Sequence, residues 1–244
     1  MNVDIFAISA LAAITAFVVV VISARSYWRR ALRWAESVRG MRTRMWDIVA
    51  LMRLLPDGYI PPGISEWTAS PDLLSEIARQ IRKRKPSRLL ELGSGISTIV
   101  TASALKWNNH GHLYSLDHDA SYAHATSVEL EQAGLCAFAE IRHAPLVKDP
   151  LRSSAWYDES VIADIGQLDI VIVDGPPTDL DPNAREPALV TLWRLLSVGG
   201  IMIFDDTNRP GDRRMIQAWS ALCPAAKLTW LPLEKGCVLI EKLA

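Results

Sequence analysis

The chain has 244 residues, half of them apolar and 22% charged, with a formal net charge of −1. That balance excludes intrinsic disorder, and three cysteines (Cys136, Cys223, Cys237) without a CxxC pair fit a reducing compartment and argue against a zinc site. The near-neutral total hides a division: residues 25–53 carry eight Arg against Glu36 and Asp47, a net +6, whereas residues 54–244 carry 18 basic and 24 acidic residues, a net −6. An acidic body predicts no nucleic-acid partner.

Residues 5–24 run for twenty positions without a charge. As a helix they would be about 30 Å long, the thickness of a bilayer's hydrocarbon core. Only Asp4 precedes the run, so it lacks the basic start of a secretory signal, and Arg25, Arg29, Arg30 and Arg33 all follow it. Residues 1–24 therefore read as a single transmembrane anchor of an inner (cell) membrane, with the C-terminal side in the cytoplasm by the positive-inside rule. A basic juxtamembrane helix is predicted over 25–55. Its apolar stripe (Val38, Met41, Met45, Ile48, Met52, Leu55) suits packing on the body or on anionic headgroups, with homodimerisation as an alternative. PDGYIPPG at 56–63, with three Pro and two Gly, ends that helix and opens a third region over 56–244.

In this region strands and helices alternate. Ser70-Pro71 reads as a helix start, Ser as N-cap, with Leu73, Leu74, Ile77 and Ile81 on the apolar face and RKRK at 82–85 closing it. Strands are predicted at 88–92, 112–116, 138–143, 168–174 and 200–206. Helices are predicted at 97–107, 119–133, 184–197 and near 211–222. Segments 227–232 and 237–242 form a hairpin around Glu234-Lys235-Gly236. The expected fold is α/β: a Rossmann-like, doubly wound, mainly parallel seven-stranded sheet, with an antiparallel strand from the terminal hairpin, preceded by the transmembrane helix. Ligands in such sheets sit beyond the carboxyl ends of the strands, at the switch point.

Glu91-Leu-Gly93-Ser94-Gly95 follows the first strand, and its glycines permit a tight turn and close ligand approach. Thr98 stands where a dinucleotide fingerprint would have a third Gly, which argues against a pyrophosphate. Asp117 ends the second strand, where a carboxylate accepts ribose hydroxyls. Adenosine without a pyrophosphate is the ligand this combination suggests.

Over roughly residues 65–244 the sequence resembles class I S-adenosylmethionine-dependent methyltransferases, through ELGSG, YSLDHD and the order of elements. The resemblance implies S-adenosylmethionine as cofactor, held by Glu91, Gly93, Ser94, Gly95, Thr98, Asp117 and Ala144. His143 stands where the family usually has an acid beside adenine. Asp174, opening DGPP after the fourth strand, and Asp205-Asp206 after the fifth further resemble metal-dependent O-methyltransferases. This implies magnesium as a second possible cofactor, held by Asp174, Asp205 and Asp206, with Asp174 also the catalytic base. Arg185 and Arg209 flank the same rim, while Trp156-Tyr157-Asp158 and Trp67 are candidates to wall the site. Four histidines, His118 among them, are assigned no role. The expected reaction is methylation of a hydroxyl on a small-molecule, glycan or lipid-linked acceptor near the membrane. A metal-independent carboxylate or amine methyltransferase, and a non-catalytic cofactor-binding scaffold, remain alternatives.

Overall fold

The computed structural model describes residues 45–61, 68–148, 154–179, 181 and 183–244, together with positions 21, 23–25, 27–29, 31 and 40. The chain divides into two units, Met1–Trp46 and Asp47–Ala244. The described positions of the first are helical. Residues 1–20, and with them most of the predicted span, lie outside the described residues, as does Trp67. Among the described residues no helix is long and apolar enough to cross a membrane.

In the second unit, helical residues 47–52 lead to α1 (Pro71–Arg84). The alternation then runs β1 (Arg88–Leu92), α2 (Ile96–Asn108), β2 (His112–Asp117), α3 (Ala120–Gln132) and β3 (Ala139–His143). A two-stranded ribbon, β4 (Leu146–Val147) with β5 (Trp156–Tyr157), precedes β6 (Leu168–Val173) and α4 (Glu186–Leu195). The chain continues through β7 (Leu196–Asp205), α5 (Pro210–Leu222), β8 (Ala226–Leu231) and β9 (Cys237–Lys242).

The seven-stranded sheet has the order β3-β2-β1-β6-β7-β9-β8, parallel except where β9 pairs with β7 and β8. The predicted fold class holds for this unit. Its strands are apolar on both faces because helices cover both. Leu89, Ile170, Ile172, Ile201 and Ile203 pack towards α1 and α2. Leu90, Leu92, Val171, Met202 and Phe204 pack with α4 and Ile216 of α5. The strand order reverses between β1 and β6, and backbone hydrogen bonds continue past the strand ends on both sides of β1: Gly93 N–H donates to Leu116 O of β2 and Asp174 N–H to Leu92 O.

Three local expectations need correction. Ser70 occupies the N-cap position, but its hydroxyl donates to Asp72 Oδ1 (2.5 Å) instead of accepting from the helix; Asp72 Oδ1 takes the Leu73 N–H. The predicted helix over 184–197 is shorter, because Leu196 turns extended and β7 begins there. Between the Leu168↔Leu196 and Ile170↔Ile201 pairs the register shifts, absorbing Ser197–Gly200 as an irregularity. A side chain at Gly200 would come within 2.9 Å of Asp169 O, so the ladder passes only because glycine is there. The β4–β5 ribbon has no counterpart in the predicted elements, since two-residue strands leave no periodicity to read.

Candidate active site

The carboxyl ends of β1, β2, β6 and β7 open on a cavity of about 350 Å³ at the switch point. On one side stands the turn after β1. Gly93 has φ +93°, and its Cα faces the Asp174–Gly175 backbone, which an added Cβ would meet at 3.4 Å. Ser94 then donates twice to Asp117 Oδ2, from its backbone N–H (3.0 Å) and its hydroxyl (2.6 Å). Asp117 Oδ1 accepts from Asp119 N–H at 3.0 Å. The carboxylate is thus fixed by three donors, and His118 Nδ1 stands 3.6 Å from Oδ1.

Glu91, Thr98 and Gly95 form a layer beneath this turn. Thr98 hydroxyl donates to Glu91 Oε2 (2.5 Å) and accepts the Gly95 N–H (3.1 Å), while Ser115 hydroxyl donates to the same Glu91 oxygen (2.7 Å). Glu91 is wholly buried, and that burial pushes its carboxyl up to about 7, against the opposing effect of the Thr98 and Ser115 hydroxyls. Of the residues predicted to hold a cofactor, Gly93, Ser94 and Asp117 border the cavity; Glu91, Gly95, Thr98 and Ala144 do not. Ala144 is buried, its N–H on Asp117 O.

Opposite lie the acids. One carboxylate oxygen each from Asp174, Asp205 and Asp206 falls within 4.8 Å of the others. Asp206 adopts φ +61°, a strained left-handed conformation of the kind found at functional sites. Burial, reinforced by neighbouring aspartates, raises the carboxyls of Asp174 and Asp205; Arg185 opposes the shift. Neither carboxylate oxygen of Asp205 has a hydrogen-bond partner among the described residues.

Buried Arg185 stands among these acids. Its Nη2 lies 3.1 Å from Asp206 Oδ2 and 3.4 Å from Asp174 Oδ1, and donates to Asp174 O at 2.6 Å. Nη1 and Nε reach Asp205 O and Pro176 O, both at 3.3 Å. Arg209 adds a second contact to Asp206 Oδ2, at 3.1 Å.

Several wall residues were not assigned from sequence. His118 and Tyr122 border the cavity beside Asp117, and Thr178 and Lys235 border it beside the acids. Lys235 arrives from the β8–β9 turn, which two distant contacts hold: Asp72 Oδ2 accepts Glu234 N–H (2.8 Å), and Asn208 N–H donates to Lys235 O (3.0 Å). No local pattern links residue 235 to residues 72 and 208. Trp156 is core, whereas buried Tyr157 borders the cavity with its hydroxyl unpartnered among the described residues. An added side chain at Gly175 would strike that hydroxyl.

Residues 90–207 match the family model described as a methyltransferase domain. No curated protein matches the chain. Among solved structures, the O-methyltransferase from Bacillus cereus in complex with SAH has a TM-score of 0.56 and 18% identity, covering 73% of this chain and 84% of that one. TomG, an O-methyltransferase of Streptomyces achromogenes in complex with SAM, has a TM-score of 0.54 and 20% identity, covering 72% and 82%. The SAH-bound methyltransferase of Podospora anserina has a TM-score of 0.53 and 18% identity, covering 73% and 81%. At these identities the likeness is one of fold.

Proposed function

We propose that the methyltransferase domain takes a methyl group from S-adenosylmethionine and delivers it to a hydroxyl oxygen of a small acceptor. The observation that carries this reading is the single cavity in which the glycine turn and anchored Asp117 face Asp174, Arg185 and Asp206. S-adenosylmethionine supplies the electrophilic methyl group. Gly93 lets a ligand approach the backbone, Asp117 accepts a ribose hydroxyl, and Ser94 holds Asp117 in place. Glu91, Gly95 and Thr98 act from beneath, fixing the shape of the turn, and Ala144 backs the Asp117 main chain. Asp174 takes the acceptor's proton; its carboxyl, raised by burial, is more basic than an exposed aspartate. Calorimetry on the full chain should show S-adenosylmethionine binding that Gly93→Val weakens at least tenfold; no binding by the native chain would end the reading.

The acidic trio has the donor chemistry of a hard divalent cation, and the unpartnered oxygens of Asp205 fit one. Asp174, Asp205 and Asp206 would hold magnesium, which would lower the pKa of an acceptor hydroxyl. A second reading rests on Arg185, whose guanidinium already neutralises part of this charge without any metal. Chelation separates them. Loss of turnover in EDTA with recovery in magnesium supports the metal, and unchanged turnover assigns its place to Arg185.

We further propose that residues 1–24 anchor the chain in a cell membrane, followed by a basic neck over 25–55 and a cytoplasmic catalytic domain over 56–244. The twenty uncharged residues and the arginines behind them support this. The acceptor would then be membrane-proximal, as a glycolipid or lipid-linked sugar is. A reporter fused after Ala244 should be active only in a cytoplasmic assay, and activity on the far side would refute the orientation.

A further inference from the structure

A second cavity, of about 710 Å³, lies beside the first and has no part in the chemistry above. Ile48, Leu51, Met52 and Leu55 form one wall, and Leu74 of α1 and Val100 of α2 form another. Its walls are mostly apolar, unlike the charged cavity next to it. Ile48 and Met52 are exposed, 40% and 69%, so apolar surface continues to the mouth. An apolar chamber of this size that reaches the surface is the form taken by sites for apolar ligands.

What it takes follows from where it ends. Lys235 borders both cavities, and Ile96, which lines the apolar one, directly follows the glycine turn that lines the other. Lys235 Nζ donates to Thr68 O (3.1 Å) on the apolar side, and a molecule that passed this lysine would set a polar head beside Asp174 and Asp206 and an apolar tail between Leu51, Leu74 and Val100. The charge distribution matches such a ligand end to end. In the sequence, a twenty-residue uncharged run precedes this segment, which fits an acceptor drawn from an amphiphile-rich environment.

We infer that the acceptor is an amphiphile: a hydroxyl-bearing polar head on an unbranched aliphatic tail, with the tail housed in the apolar cavity. This deepens the methyltransferase reading and rests on it. Each methylene that enters the cavity should strengthen binding about fourfold.

Octyl, nonyl and decyl β-glucosides, below their micelle concentrations, serve as probes with the full chain in the presence of S-adenosylmethionine. Calorimetry should show the dissociation constant falling about fourfold per methylene. Ile48→Glu and Met52→Glu change exposed positions, so melting temperature and S-adenosylmethionine affinity should stay as in the native chain. Binding of the decyl probe should weaken at least tenfold in both. Affinity independent of tail length, equal affinity in the variants, or self-association through this face without probe binding would each overturn the inference. Failure to bind S-adenosylmethionine would instead remove the reading beneath it, and the two failures are read in separate titrations.

Discussion

Asp117 and Asp205 both end parallel strands of one sheet, both are almost wholly buried, and they are served in opposite ways. Asp117 receives two hydrogen bonds from Ser94 and one from Asp119. The carboxylate of Asp205 receives none among the described residues, and stands instead among Asp174, Asp206 and the guanidinium of Arg185, which donates to the Asp205 backbone carbonyl. The first side of the cavity is therefore organised by hydrogen bonds that hold a carboxylate in place. The second is organised by net charge, with carboxyls poised between proton and cation. A strand-end aspartate has no fixed meaning; the donors around it decide what it does.

The largest expected effect comes from breaking the charge-organised side. Arg185→Ala leaves half-buried Asp174 and buried Asp205 and Asp206 without their internal cation and should cost about 3–5 kcal/mol in urea unfolding. Methyl transfer should be lost while the Asp117 side keeps its hydrogen bonds. A cost below about 1 kcal/mol, the scale of an exposed ion pair, would show that the guanidinium is not the counterion the comparison requires.

A smaller effect sharpens the other side. Glu91 has its carboxyl raised from an ordinary 4.5 to about 7, so the folded chain holds its proton more tightly than the unfolded chain. Its contribution to stability is full below pH 4.5 and declines as pH rises through about 7. Glu91→Gln removes that decline. Its stability relative to the native chain should improve by about 3 kcal/mol between pH 4.5 and pH 8. Parallel stability curves for the two proteins would mean that the layer beneath the turn does not carry this buried proton.

The sequence made the strands readable because β1, β2, β6 and the second half of β7 are apolar runs ending in acids or glycines, and these ends open on the cavity. Gly93, Ser94, Asp117, Asp174 and Asp206 could be placed by that rule, and all border one cavity. Glu91, Gly95 and Thr98 were grouped with them because sequence adjacency does not tell a wall from its foundation; the pleat turns Glu91 under the turn, towards Thr98 and Ser115. Lys235 and His118 were invisible as site residues. A lysine in a hairpin turn looks like any solvated lysine until Asp72 and Asn208 fix the turn from 163 and 27 residues away. The apolar cavity was equally hidden, since Leu51, Leu74 and Val100 read as ordinary core residues in their separate helices.

The order of the last two strands sets a sequence of events during synthesis. Everything on the Asp117 side of the cavity has left the ribosome once Asp174 and Gly175 have emerged. The opposite side must wait, because Asp205 pairs with Cys237 on a strand made later, and β8 has only β9 as its neighbour. A nascent chain that has reached residue 225 can complete the first half of the site while lacking Lys235 and the strand beside Asp205. The two sides of the cavity thus draw on segments made at different times, the Asp117 side on residues before 176 and the Asp205 side on the strand pair that includes Cys237.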